Sequence, residues 1–86
     1  MADRFDDLVF HEIHKDHIQA RCSIGKYKLS VIKEPGKKFY EAAIFLDEEF
    51  VNLPGINNPK DDVIPYLDEA AVTGIMLKLH TLEIGN

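Results

Sequence analysis

From His17 to Ile24 every second residue is apolar. Ile18, Ala20, Cys22 and Ile24 alternate with His17, Gln19, Arg21 and Ser23. A period of two predicts a half-buried strand, with one face on a core and the other in water. Gly25 then supplies a turn. Lys26 to Lys33 repeats the pattern, with Tyr27, Leu29 and Val31 set against Lys26, Lys28 and Ser30. Glu34-Pro35-Gly36-Lys37 follows. Pro presets φ and Gly accepts a positive φ, which is the chemistry of a type II turn. A hairpin should therefore join this strand to the next, Lys38–Leu46.

That third run is apolar on both sides. Tyr40, Ala42, Ile44 and Leu46 share one face, and Phe39, Ala43 and Phe45 share the other with Glu41. Such a strand is expected at the centre of a sheet with something over its second face. The N-terminal segment, a long loop or another subunit would serve. Asp47-Glu48-Glu49 reads as a turn and Phe50-Val51-Asn52 as a short further strand. The segment Asp7–His14 fits either a strand or a helical stripe, and its Val, Phe and Ile favour the strand. Lys15-Asp16 turns it into the next one.

Leu53 to Lys60 is a loop, marked by Pro54-Gly55 and Asn57-Asn58-Pro59. Asp61-Asp62-Val63-Ile64-Pro65 is compatible with one helical turn that Pro65 limits. Asp68 is a good N-cap for a closing helix, and Glu69 suits its positive end. Val72, Ile75, Met76, Leu79 and Leu82 recur at helical spacing. Gly85 is placed to end the helix. Gly74, inside it, costs about 1 kcal/mol against Ala, and close packing on the sheet is its expected reason. The pattern as a whole predicts an α+β fold. An antiparallel β-meander of about four to five strands packs against one C-terminal amphipathic helix. The helix should lie over Ile18, Ala20, Cys22, Tyr27, Leu29, Val31, Tyr40, Ala42 and Ile44.

Length and charge narrow this picture. Residues 1–86 have room for one domain. Such a domain buries roughly 60–65% of its unfolded surface, so self-association is expected to hide more. The single cysteine, Cys22, allows no internal disulfide and fits a reducing compartment. The acidic start, Met1-Ala2-Asp3-Arg4-Phe5-Asp6-Asp7, lacks the form of a secretory signal. No apolar run approaches the ~20 residues of a membrane span. Together these point to a soluble, cytoplasmic, non-membrane protein. Net charge is −5, and residues 41–86 hold nine Asp/Glu against two Lys/Arg. An acidic chain is a poor candidate for neutralising a phosphate backbone.

Few constellations carry chemistry. His11, His14 and His17 are a candidate metal set, because neutral imidazoles bind Zn²⁺. On one strand, though, His11 and His14 point to opposite faces, and a turn at Lys15-Asp16 would pair only His14 with His17. The two-His zincin spacing is absent. Cys22 alternates with core residues and is expected buried and inert. No nucleophile elbow, phosphate loop or dinucleotide fingerprint occurs, so neither catalysis nor a cofactor is expected. The carboxylates Asp47, Glu48, Glu49, Asp61 and Asp62 match no calcium loop and read as solvated turns.

Arg21, Lys26 and Lys28 share a polar sheet face. A nucleic-acid role there lacks an aromatic platform, because Tyr27 points to the core. Phe39, Ala43 and Phe45 form the surplus apolar face. Either the N-terminus covers it or it is an interface, for a homodimer or another protein. The loop residues Pro54, Gly55, Asn57, Asp61 and Asp62 are a second place for function.

Between Tyr40 and Leu79 the stretches Tyr40-Glu41-Ala42-Ala43-Ile44-Phe45, Phe50-Val51, Leu53-Pro54-Gly55-Ile56 and Asp61-Asp62-Val63-Ile64, with the Leu-rich closing helix, resemble small uncharacterised proteins encoded by tailed bacteriophages. The resemblance spans about half the chain. It implies a small accessory or host-interaction protein in the host cytoplasm and carries over no functional residue. The expectation is a non-enzymatic, self-associating interaction module. The alternative is a metal- or ligand-binding protein using His11, His14 and His17.

Overall fold

The computed structural model describes residues 3–57 and 62–84. Asn58, Pro59, Asp61 and Gly85 lie outside the described residues. A short 3-10 helix, Phe5–Asp7, precedes six strands: β1 His11–His14, β2 His17–Ile24, β3 Tyr27–Lys33, β4 Tyr40–Leu46, β5 Glu49–Phe50 and β6 Val63–Leu67. Helix α1, Glu69–Ile84, follows. The strands form one antiparallel sheet in the order β1-β2-β3-β4-β5, with β6 also on β4. This is the expected meander and helix, with one more strand than foreseen.

The turns follow their residue chemistry. Gly36 takes φ +74°, and the Lys37 N–H donates to the Glu34 carbonyl at 3.2 Å. That closes the type II turn that Pro35-Gly36 specifies. Asp16, Asp47 and Glu48 are left-handed at φ 58°, 53° and 69°. The last two make the hairpin between β4 and β5 without glycine, a conformation that costs L-residues roughly 1–2 kcal/mol each.

Two segments differ from the sequence reading. Residues 63–65, read as a helical turn, belong to β6. Tyr40 pairs with Leu67 and Ala42 with Ile64, so β6 spends an extra residue against β4. The bulge falls at Pro65-Tyr66, with Tyr66 at φ 60°. Pro65 has no N–H to give a ladder and is tolerated because β6 is an edge strand. β5 and β6 occupy successive stretches of the same β4 edge: Phe50 pairs with Phe45, the Val51 N–H donates to the Ile44 carbonyl, and Val63 resumes opposite Ala43. They act as one edge strand in two pieces, with residues 52–62 between them along the chain. The N-terminal segment is the second difference. It is strand only over His11–His14, with the 3-10 turn before it.

The core lies between the sheet and α1. Ile24, Leu29, Val31, Ala42 and Ile44 of the sheet meet Val72, Met76 and Leu79 of the helix, all buried. Asp68 caps α1 as expected, its Oδ1 accepting the Ala71 N–H at 2.7 Å. Gly74 is a correction. A Cβ there would meet nothing within 4 Å, so close packing does not require the glycine.

The N-terminus joins this same layer. The Phe5 N–H donates to Thr73 Oγ1 of α1 at 2.9 Å, and Asp3 lies 3.2 Å from His80 Nε2. Phe5, Phe10 and Tyr40 form an aromatic trio with centroids 5.1–5.7 Å apart. The Asp7 carboxylate accepts the N–H groups of Asp3 and Arg4, which holds its pKa below the ordinary value.

Candidate interaction face

Because the helix and the N-terminus both pack on one side, no described segment covers the other side of the sheet. The register of the ladders sets what that open face displays, since directly paired residues point the same way. Ser23, Lys28, Phe45 and Phe50 form one cross-strand row. Arg21, Ser30, Ala43 and Val63 form the next. Gln19, Ile32 and Glu41 form the third.

The Phe45 and Phe50 rings pack with centroids 4.7 Å apart. Phe50 and Val63 remain 54% and 40% exposed. Arg21, Ser23, Lys28, Ser30, Phe45 and Glu48 line a shallow hollow of about 530 Å³, which Cys22 also reaches. Ser30 is buried in its floor, and its Oγ accepts from Gln19 Nε2 at 2.9 Å. Neither Arg21 nor Lys28 forms an ion pair with an acidic side chain among the described residues.

Of the three apolar residues singled out in the sequence, Ala43 and Phe45 stand in the cross-strand rows of this face. Phe39, in the bend before β4, packs against Tyr66, the rings 6.4 Å apart and nearly perpendicular, and the pair lines a small hollow with Glu41 of the third row. The N-terminus covers none of the three. It lies on the opposite layer.

Arg21 and Lys28 share the open face. Lys26 sits in the turn before β3, with its Nζ 5.5 Å from the Tyr27 ring, and lines a second hollow with Lys28, Asp47 and Glu48. The aromatics missing from the basic strands come from across the ladder. Phe50 and Val63 were not singled out in the sequence. A short strand and a misassigned helical turn hid them, and only the pairing with β4 reveals them.

The histidines take neighbouring positions of the β1–β2 ladder. His14 pairs with His17, as a turn at Lys15-Asp16 requires, and His11 pairs with Gln19, two residues along β2; the register shift between Glu12 and His14 brings His11 and His14 to one face rather than to opposite ones. His17 Nε2 is buried without a hydrogen-bond partner. No group of three His, Cys, Asp or Glu among the described residues is placed to hold a metal ion.

In the loop, Pro54, Gly55 and Asp62 are exposed. Asn57 is buried; its Oδ1 accepts the Leu53 N–H at 3.2 Å, and its Nδ2 has no hydrogen-bond partner among the described residues. Lys78 of α1 donates to the Gly55 carbonyl at 2.9 Å and ties the loop down. Cys22 is half-buried rather than fully buried, and desolvation raises its thiol pKa. No helix among the described residues is long and apolar enough to cross a membrane.

No protein-family model matches this chain, and no curated protein or solved structure shows significant similarity to it.

Proposed function

We propose that this protein is a non-enzymatic interaction module that docks a protein, a second copy of itself or another chain, on the open face of its sheet. The observation that carries the reading is the row Lys28, Phe45 and Phe50 with Ala43 and Val63 beside it, an apolar strip left uncovered by every described segment. Exposed contiguous apolar strips rimmed by polar residues mark interaction sites. The accessory or host-interaction role implied by the phage resemblance fits such a module.

The test is native mass spectrometry and partner capture on the wild type and on Phe45→Ser and Phe50→Ser. The reading expects both variants to lose the dimer or the captured partner. Unchanged mass and unchanged capture in both would refute it. Phe50→Ser serves as the control for folding, because that ring is already half exposed.

A second reading has its own observation, the orphan Nε2 of His17 beside His14. In it, His11, His14 and His17 form the binding site for a small ligand, or for a metal that draws the three side chains closer together than they stand here. It requires a stoichiometric metal or ligand adduct on protein purified without chelator, and a bare mass removes it.

A further inference from the structure

The hollow at one end of the open face has a composition that selects among partners. This step rests on the docking reading above. Arg21 and Lys28 are diagonal neighbours across the β2–β3 ladder, on one face, a separation of about 7–8 Å at the backbone. Both cations lack an acidic partner among the described residues. The hydroxyls of Ser23 and Ser30 stand between them in the same two rows, and Gln19 donates to Ser30 Oγ, which leaves the Ser30 O–H to donate outward. On the adjacent strand the wall turns apolar, with Ala43, Phe45 and then Phe50.

We infer that the hollow receives an acidic side chain of a docked peptide segment whose neighbouring apolar side chain lies on the Phe45–Phe50 pair. A carboxylate set between a guanidinium fork and an ammonium gains charge-assisted hydrogen bonds from both, with hydroxyl donors beneath it. In an extended segment, side chains two residues apart face the same way. An acid and an apolar residue at that spacing therefore reach the cationic pair and the aromatic pair together. Polar groups supply selectivity and apolar area supplies the bulk of the affinity, the usual division in such sites.

Single-stranded nucleic acid fits the same face less well. Its phosphates need several cations in a track, whereas the hollow sets the two cations Arg21 and Lys28 against Glu48, a balance of one positive charge that matches a single carboxylate and not a polyanion. The Phe45 and Phe50 rings are turned onto each other rather than spread as separate stacking platforms.

Fluorescence anisotropy with three labelled probes tests the inference. One is a capped peptide with Asp and Leu two residues apart, one is its Asn counterpart, and one is a short thymidylate oligonucleotide. The Asp peptide is expected to bind saturably and the other two at least about tenfold more weakly. Arg21→Gln and Lys28→Gln should each weaken the Asp peptide about tenfold. Both side chains are exposed, so neither change should shift the thermal melt.

Equal binding of the Asp and Asn peptides overturns the acidic occupant, and so does tighter binding of the oligonucleotide. Absence of saturable Asp-peptide binding up to millimolar concentration overturns it as well. If, in that last case, Phe50→Ser still dissociates a dimer, the docking face stands and only its acidic occupant is lost.

Discussion

The two faces of this sheet are made by alternate residues of the same strands, yet they have different fates. On β4, Ala42 and Ile44 are 2% and 0% exposed, while their neighbours Ala43 and Phe45 face away from the core. The helix side is covered by α1, the 3-10 turn and the Phe5–Phe10–Tyr40 trio. Among the described residues, the far side receives only its own cross-strand contacts. Fully burying an aliphatic side chain contributes about 1.5–3 kcal/mol, so the covered face holds the fold. The contrast teaches that apolar character alone does not assign a residue to the core. The position of the remaining chain does.

The sharpest way to break the comparison is to truncate one residue on each face. Ile44→Ala should lower stability by about 3 kcal/mol, because it empties a fully buried site between sheet and helix. Phe50→Ser, across the ladder from Phe45, should cost the monomer no more than about 1 kcal/mol, the worth of one half-exposed aromatic cross-strand pair. Urea unfolding at low protein concentration measures both. A Phe50→Ser cost close to that of Ile44→Ala would mean that the open face is covered in solution.

Smaller effects sharpen the picture, one on each side of the sheet. Gly74→Ala should raise stability by about 1 kcal/mol, since the new methyl meets open space and the helix loses its flexible residue. Glu48→Gly should raise it by a similar amount of about 1 kcal/mol, because φ is 69° there and the hairpin geometry favours glycine. Thermal melts of the two single variants and the double variant check both values. The sites share no contact, so their effects should add.

The covered face was legible in the sequence because it depends on local pattern. The period of two in Ile18–Ile24 and Tyr27–Val31, the Pro35-Gly36 turn, the Asp68 cap and the helical stripe from Val72 to Leu79 each involve neighbours a few residues apart. The open face was half legible. Ala43, Phe45, Arg21 and Lys28 were identified separately, as an apolar set and a basic set. That they are one surface depends on the ladder that places Lys28 beside Phe45, and register between strands leaves no mark in either strand alone.

Phe50 and Val63 were missed for a related reason. β5 is two residues long, and β6 rejoins β4 only at Val63. Asp61-Asp62 before an apolar pair looks like a helix start, but Pro65 at an edge bulge is equally lawful and tertiary pairing decides. The route of the N-terminus was beyond reach, because the bond from Phe5 N–H to Thr73 Oγ1 spans most of the chain.

The smallest expected effect is a pH dependence that belongs to the core side. Cys22 and Tyr40 both contact the covered core, and both have pKa values raised above the ordinary 9.0 and 10.0. Desolvation is the cause for the thiol. Desolvation followed by the nearby Glu69 charge is the cause for the phenol. Below about pH 8 both groups are protonated in the folded and unfolded chains and contribute nothing to the pH slope. Above that, the unfolded chain releases its protons first. It then binds fewer protons than the folded chain, and stability falls as pH rises. Urea midpoints should therefore decline gradually from pH 8 to about pH 11, and Cys22→Ala with Tyr40→Phe should flatten the decline. The same thiol should alkylate with iodoacetamide more slowly in the folded protein than in urea at pH 8. A folded-state rate equal to the unfolded one would show that Cys22 opens to water through the hollow, and would move it from the covered face to the open one.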